Sequence, residues 1–208
     1  MAPRIGEKNA RGEATRDLLV QAALEELSRS GPVDFSLDAV LRDSGVSRGS
    51  LYHHFADRSA LLAVAEGRFI QKLLKGLNVK LRTQIESAAT GDEVFEVIAD
   101  VFRGSARPVA KNDRRRRLQS IVLSFSDEVL QEVLLDKERE GTKFFIETLE
   151  TALERGLIAP HEAIAGVAMS LQALLLGRVL VDQVGDRKMQ EATTMASLIA
   201  VRALLNPQ

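Results

Sequence analysis

Apolar residues recur at intervals of three and four along almost the whole chain, and this spacing is the strongest constraint on the fold. The clearest example is the series Ile70, Leu74, Leu77, Leu81 and Ile85. Such spacing places apolar side chains along one side of an α-helix. Signs of strands are weak, because the chain has no Asn-Gly or Asp-Gly pair and no sustained alternation of apolar and polar residues. We therefore expect an all-α protein.

Helix-capping and helix-ending residues divide this pattern into about nine helices. Arg29-Ser30-Gly31-Pro32 ends the first helix, because Gly accepts the left-handed cap and Pro cannot continue a helix. Asp57 and Ser126 are good helix starts. The predicted helices cover residues 13–28, 36–43, 47–55, 57–87, 91–104, a segment from 113, 126–155, 160–184 and 188–204.

The composition is that of a globular protein that folds inside the cell. Hydrophobic residues make up 45% and charged residues 27% of the 208 residues, which is close to the average for folded domains. The chain has no cysteine, which excludes disulfides and thiolate metal sites. Its first 16 residues are polar and lack the apolar core of a signal peptide. We expect a cytoplasmic protein.

One apolar segment, residues 163–181, is long enough to raise the question of a membrane span. Ser170, Gln172 and Arg178 interrupt it, and an arginine near the middle of a bilayer costs several kcal/mol. A helix that is apolar all round in a soluble protein is buried on all sides. We therefore expect no membrane contact and predict a central or subunit-interface helix.

Residues 36–55 have the pattern of a helix-turn-helix motif. Ser36 and Ser47 can cap two short helices, and Gly45 between them can adopt a positive φ. The small internal core of the motif is predicted to consist of Leu37, Val40, Leu41, Val46, Leu51 and Phe55.

The second helix of this motif has a polar outer face. If Leu51 points inward, Gly49 and His53 lie about 160° away from it around the helix. Ser50 and Tyr52 flank that face, and Arg48 stands at the start of the helix. A narrow polar face without carboxylates suits the major groove of DNA.

The segment Gly45-Val-Ser-Arg-Gly-Ser-Leu-Tyr-His-His-Phe55, followed by Arg58, resembles the DNA-binding motif of the tetracycline-repressor (TetR/AcrR) family. The resemblance extends from about Thr15 to Phe69. It implies that Arg48, Gly49, Ser50, Tyr52 and His53 enter the groove. It also implies that Ser36, His54 and Arg58 face phosphates, and Ser47 completes the candidate set. For His54 alone, a packed and hydrogen-bonded aromatic cluster is the favoured alternative.

Three domains or segments follow from these patterns. Residues 1–12 form a flexible basic arm with Arg4, Lys8 and Arg11, either reaching DNA or simply solvated. Residues 13–69 form the DNA-binding domain, and residues 70–208 form an effector-binding and dimerisation domain. The expected function is that of a transcriptional regulator, a repressor released by a small molecule. The alternative is a helical interaction protein with a non-functional DNA head.

An enzyme is disfavoured, because no constellation of residues supports catalysis, and we expect no cofactor and no metal site. The arginine run Arg114–Arg117 is predicted to lie in the first turn of a helix, where cations oppose the helix dipole. Its partners are either acidic side chains of another helix, which is the favoured prediction, or an anionic ligand.

The last two helices are predicted to pair with their copies in a homodimer, as the family resemblance also implies. Such a dimer requires an inverted-repeat operator. Arg178 and Asp182 are expected to pair with each other or, less favourably, across the interface. An apolar effector is expected in a cavity between helices. The candidate effector residues are Phe95, Phe102, Arg103, Gln119, Phe125, Phe144, Phe145, Glu147 and Gln172.

Overall fold

The computed structural model describes residues 5–184 and 186–208, and these are almost entirely helical. The helices are α1 (Ile5–Ser30), α2 (Leu37–Ser44), α3 (Arg48–His54), α4 (Arg58–Ser87), α5 (Gly91–Gly104), α6 (Pro108–Ser124), α7 (Glu128–Glu154), α8 (Ile164–Gly177), α9 (Val179–Val184) and α10 (Arg187–Leu205). Only Arg178 separates α8 from α9, so these two segments correspond to one of the nine predicted helices. The all-α prediction is confirmed.

The helices form two compact units. The first unit comprises residues up to Gln71 together with Gln119–Lys137, and the second comprises Lys72–Leu118 and Glu138–Gln208. The first division lies within two residues of the predicted boundary after residue 69. Residues 119–137, which were predicted in the second domain, pack in the first unit instead. There the Ser120 hydroxyl donates to the buried Glu66 carboxylate at 2.9 Å, and Ser59 donates to Asp127 at 2.6 Å.

Two helices begin earlier than predicted. α1 begins at Ile5, so the predicted arm is helical over residues 5–12. Good helix formers such as Glu7 and Ala10 occupy this stretch, and no proline follows Pro3. The arm's Arg4 lies outside the described residues, as do the side chains of Lys8 and Arg11.

α6 begins at Pro108 rather than at Asp113, because proline is well tolerated in the first turn of a helix. The arginine run therefore lies in the middle of α6 and not in its first turn.

α8 begins later than predicted, at Ile164 rather than Pro160. The preceding residues are held in an extended conformation by the end of the chain. The Ala159 amide donates to Asn206 O at 3.0 Å, and the Gln208 amide donates to Leu157 O at 3.0 Å. These long-range hydrogen bonds compete with helix formation, and local sequence gives no sign of them.

The stretch Ile164–Val184 is long and apolar enough to cross a membrane by length and composition alone. Within the second unit its buried side includes Val167, Ala168 and Leu171. Met169 and Leu180 are 54% and 72% exposed. The prediction of burial on all sides is therefore wrong for a single chain, whereas a subunit-interface role stays a prediction.

Two arginines of the run, Arg114 and Arg117, form ion pairs with acidic residues on other helices of the second unit. Arg117 Nε donates to Glu138 Oε1 at 2.7 Å, and Arg114 Nε donates to Asp182 Oδ2 at 3.0 Å. The prediction of acidic partners from other helices is confirmed for these two arginines.

The predicted pair between Arg178 and Asp182 is wrong, because Asp182 faces Arg114 instead. Arg178 is only 2% exposed, and its Nε and one terminal nitrogen have no hydrogen-bond partner among the described residues. Desolvation lowers the pKa of this guanidinium, and the neighbouring charge of Arg114 lowers it further.

Candidate nucleic-acid interface and ligand cavity

The helix-turn-helix motif is built on a small apolar core in the first unit. Val40 and Leu51 are fully buried and Phe55 is 4% exposed, packed with buried residues of α1 and α4. Leu37, Leu41 and Val46 are partly buried and pack against the same core. All six residues predicted for this core are therefore confirmed.

Local hydrogen bonds set the two short helices of the motif. Ser36 Oγ accepts from the Ala39 amide at 3.2 Å, and Ser47 Oγ accepts from the Ser50 amide at 3.2 Å, so each serine caps one helix. Gly45 ends α2 in the left-handed conformation with a φ of 66°, which permits the tight turn. Ser47 is exposed, and its hydroxyl is already used as the cap of α3.

The side of α3 opposite Leu51 is open to solvent. Arg48, Gly49 and His53 are exposed, and Tyr52 is 49% exposed. Ser50 is half-buried. The outward face predicted from helical spacing is thus the exposed face of α3. No carboxylate lies on α3 itself, so this face presents hydroxyl, imidazole, phenol and guanidinium groups.

Arg48 is not free on this face. Its guanidinium forms an ion pair and hydrogen bond with the carboxylate of Asp38, which lies in the first turn of α2. Both side chains remain more than half exposed. This contact is hard to predict from sequence, because the two residues lie ten positions apart on different helices.

The residues predicted to face phosphates are partly engaged in holding the motif together. Arg58 donates from Nε and a terminal nitrogen to Phe35 O at 3.3 and 3.0 Å, and its guanidinium lies 5.3 Å from the centre of the Phe35 ring. His54 is half-buried and meets the His53 ring edge to face at 5.2 Å. This contact accords with the aromatic-cluster alternative for His54.

A buried carboxylate that was missed from the sequence anchors the start of the motif. Glu26 is 6% exposed and accepts from Arg29 at 2.9 Å and from the backbone amide of Ser36 at 3.3 Å. Arg29 also pairs with Asp43 at the end of α2. The hydrogen bond from Arg29 holds the pKa of Glu26 below its usual range, despite the opposing effect of burial.

The second unit contains a groove that narrows into a small cavity. The groove has a volume of about 600 Å³ and the cavity about 60 Å³, and they share six lining residues: Leu74, Leu77, Leu81, Val101, Arg117 and Leu175. Ile98, Phe102, Phe145 and Leu171 form the apolar walls of the inner cavity. A space of this combined size falls in the range of small-molecule sites.

The predicted effector residues divide between this site and other places. Phe102, Phe145 and Gln172 line the inner cavity, and Arg103 lines the groove. Gln172 is hydrogen-bonded to Thr142.

Phe95, Phe144 and Glu147 do not line the cavity or the groove. Each of them contacts an arginine instead. Arg202 lies 4.4 Å from the ring centre of Phe95, and Arg82 lies 4.1 Å from that of Phe144 and 3.5 Å from Glu147.

Two further predicted effector residues, Gln119 and Phe125, also lie outside the cavity and the groove. Phe125 is 75% exposed in the turn between α6 and α7, and Gln119 belongs to the first unit. Asn78 and Arg117, which do line the inner cavity, were missed. Both were missed because polar residues on a helix are usually exposed.

A capped helix-turn-helix with an open polar face, carried by an all-helical chain, is typical of helix-turn-helix DNA-binding proteins. Residues 19–65 match the family model of "Bacterial regulatory proteins, tetR family". These residues span the helix-turn-helix motif, so the motif is assigned as similar to that of this family.

Individual relatives agree with this assignment. The chain is 35% identical over 98 residues to the HTH-type transcriptional regulator BetI of Proteus mirabilis, an alignment that covers 47% of this chain and 46% of BetI. It is 25% identical over 189 residues to the HTH-type transcriptional regulator UidR of Escherichia coli K12, which covers 91% of each protein. Thus the chain matches about half the length of BetI but most of UidR.

Solved structures share the fold. A transcriptional regulator of the TetR family from Cytophaga hutchinsonii superposes with a TM-score of 0.68 over 95% of this chain and 98% of that one, at 16% identity. The chain therefore shares its all-helical fold with this regulator.

Proposed function

We propose that the protein is a cytoplasmic, dimeric repressor that reads an inverted-repeat operator with α3 and is released by a small molecule bound in the second unit. The observation that carries this proposal is the exposed polar face of α3, held on a buried Leu51.

The DNA contacts are assigned by side-chain chemistry and position. Arg48, Gly49, Ser50, Tyr52 and His53 meet base edges, since arginine and other polar side chains on a recognition helix bond to the groove pattern. Ser36, Ser47, His54 and Arg58 act at the flanks, where hydroxyl and cationic groups face phosphates. Arg58 serves two purposes, because it also fixes the Phe35 carbonyl beside Ser36.

Dimerisation is assigned to the last helices. Large apolar side chains stay exposed there within one chain, including Met169 on α8, Leu180 on α9 and Ile199 on α10. Exposed apolar patches of this kind favour burial against another chain. A two-fold pairing of these helices gives a four-helix interface and relates the two helix-turn-helix motifs of the dimer by a dyad.

The groove and inner cavity of the second unit are proposed as the effector site. Phe102, Phe145 and Gln172 contribute to the cavity and Arg103 to the groove. An effector that binds the non-operator conformation more tightly shifts the protein away from DNA, and DNA then weakens effector binding by the same factor.

Selection of duplexes from a random pool by the purified protein tests the DNA-binding part. We expect an inverted repeat with half-site centres about one helical turn apart or somewhat more. Arg48→Ala and His53→Ala should change the preferred bases, each at a cost of about 1–3 kcal/mol.

Arg68→Ala is the matched control, since Arg68 is an exposed, ion-paired arginine of α4 in the same unit. A selected motif without a dyad, or equal binding by both α3 variants and wild type, would contradict the proposal.

A further inference from the structure

The groove in the second unit has two chemically different ends. Its inner end is the narrow cavity walled by Ile98, Phe102, Phe145 and Leu171, all of which are at most 7% exposed. Its outer end carries charged side chains of α4, of α5, of the turn before α6 and of α6 itself, namely Lys80, Asp100, Arg103, Arg107, Asp113, Arg114 and Arg117. A molecule that fills the whole site must therefore be apolar at one end and polar at the other.

The outer end has more positive than negative charge, with five cations and two carboxylates among its lining residues. Three of the cations already have acidic partners: Arg103 pairs with Glu96 and Asp100, Arg114 with Asp182, and Arg117 with Glu138. Lys80 and Arg107 have no acidic side chain within 4.0 Å among residues 5–184 and 186–208. These two cations are therefore available to a ligand.

The two carboxylates do not offset these free cations. Asp100 is occupied by Arg103 at 2.8 Å. Desolvation raises the pKa of Asp113, and the nearby Arg116 only partly opposes this effect. Arg116 is the cation that acts on Asp113, and neither Lys80 nor Arg107 is paired with this carboxylate.

We propose that the site takes an anionic amphiphile, with a narrow apolar tail in the inner cavity and an anionic head group in the groove, attracted by Lys80 and Arg107. This inference rests on the proposed effector site and specifies the chemical class of its ligand. The charge of the groove selects the head group, and the small volume of the inner cavity, about 60 Å³, selects a slender tail.

The test compares three probes of equal chain length: octanoate, 1-octanol and octyltrimethylammonium. Binding to the full-length protein is measured by isothermal titration calorimetry. We expect octanoate to bind about tenfold more tightly than octanol, because its head group gains charge-assisted hydrogen bonds. Octyltrimethylammonium should bind most weakly. Equal affinities, a preference for the cation, or no binding of octanoate would overturn the proposal.

Paired variants separate head-group recognition from tail burial. In Lys80→Gln/Arg107→Gln, octanoate affinity should fall about tenfold to the level of octanol, while octanol affinity stays unchanged. The control is Lys75→Gln/Arg187→Gln, which removes two exposed positive charges from residues that do not line the groove. Lys75 lies on the same helix as Lys80 but about 140° around it. An equal loss of octanoate affinity in the two double variants would overturn the proposal.

Duplex binding, measured on the same preparation, keeps this inference separate from the proposed function. A protein that binds its selected duplex but does not distinguish the three head groups contradicts only the ligand class. A protein that prefers octanoate in the expected way but keeps its duplex when octanoate is present supports the ligand class and contradicts release by this ligand.

Discussion

Arg48 shows how one side chain can serve two partners. In the free protein its guanidinium is paired with Asp38, and both side chains are accessible to solvent. Exposed ion pairs contribute little to stability, about 0–1 kcal/mol, so this pair is weak enough to open on DNA. Asp38 thus competes with a guanine edge or a phosphate for the same guanidinium.

Removing this competitor should tighten DNA binding. We expect Asp38→Asn to raise affinity for the selected duplex by about two- to fivefold, because Arg48 is freed and one negative charge near the phosphates is lost. Fluorescence anisotropy with a labelled duplex measures the change. Asp17→Asn, which breaks the exposed pair with Arg68 in the same unit, is the control and should have less effect. Weaker binding by Asp38→Asn would contradict the competition.

Glu26 should make stability depend on pH. Its pKa is lowered in the folded state from an ordinary value of 4.5, so its contribution is complete above that value and is lost as pH falls through the folded pKa. The free energy of unfolding should therefore fall between about pH 5 and pH 3.

In Glu26→Gln the free energy of unfolding should be lower at neutral pH by about 1 kcal/mol, a modest value because the partner Arg29 is half exposed and screened. The fall at acid pH should also be shallower. Urea unfolding at a series of pH values gives both quantities. Glu25→Gln, on the exposed side of the same helix, controls for loss of one charge. If the free energy of unfolding of Glu26→Gln fell with pH as steeply as that of wild type, Glu26 would not be the source of the pH dependence.

At the residue scale, spacing alone predicted which side chains of α3 point outward. Leu51 sets the phase of the helix, and the opposite positions Gly49 and His53 follow from 100° per residue. Spacing could not predict the contacts of Asp38 or Glu26, because each depends on how two helices approach across a turn. A buried Glu26 also resembles, in sequence, any exposed glutamate of an amphipathic helix.

At the scale of helices, the start of α5 is fixed by the end of the chain. The Gly91 amide donates to Gln208 O at 3.1 Å, and a Cβ at residue 91 would collide with the backbone of Leu157 and Gln208. Backbone atoms cannot rotate away as a side chain can. This helix start therefore requires glycine for reasons of space.

Gly91→Ala should consequently destabilise the protein, by about 1–3 kcal/mol as in other overpacked sites. Gly76→Ala is the matched control, because nothing lies within 4 Å of a Cβ there and the position is exposed in α4. It should stabilise the protein by up to about 1 kcal/mol through helix propensity. Thermal unfolding followed by circular dichroism should shift in opposite directions for the two variants. A shift in the same direction would refute the packing argument.

Helix bounds were predictable where local capping decides them. α4, α5, α7 and α10 begin and end within about two residues of the expected positions. α8 was misplaced at its start, because residues 157–159 pair with residues 206–208. Long-range pairing of this kind cannot be seen in a local pattern of apolar residues.

At the scale of the whole molecule, the apolar residues left exposed on α8, α9 and α10 should control assembly. Leu180→Glu/Ile199→Glu is expected to convert the dimer to a monomer at micromolar concentration, since a buried carboxylate without a partner costs several kcal/mol. Sedimentation velocity measures the mass.

Val109→Glu on α6 is the control, because Val109 is 71% exposed, as much as Leu180 and Ile199 at 72%. It should leave the mass unchanged. A monomeric wild type, or a double variant that remains dimeric, would contradict the assignment of the interface.

The all-α class was predictable for the whole chain, because helical periodicity runs through it. The allocation of residues 119–137 to the first unit was not predictable. It depends on the hydrogen bond between Ser120 and Glu66, which lie 54 positions apart. A fully buried glutamate and serine do not differ in sequence from their exposed counterparts.

The pair of Arg48 with Asp38 also bears on how such a regulator finds its operator. A regulator scans random duplex mainly through attraction to phosphates, and the strength of that attraction sets how long each visit lasts. With Arg48 neutralised by Asp38, the head carries less effective positive charge while it scans and leaves random sequence sooner. If α3 reads DNA as proposed, a site that offers Arg48 a better acceptor than Asp38 opens this weak pair most readily, so the pair increases the difference in residence time between such a site and random sequence.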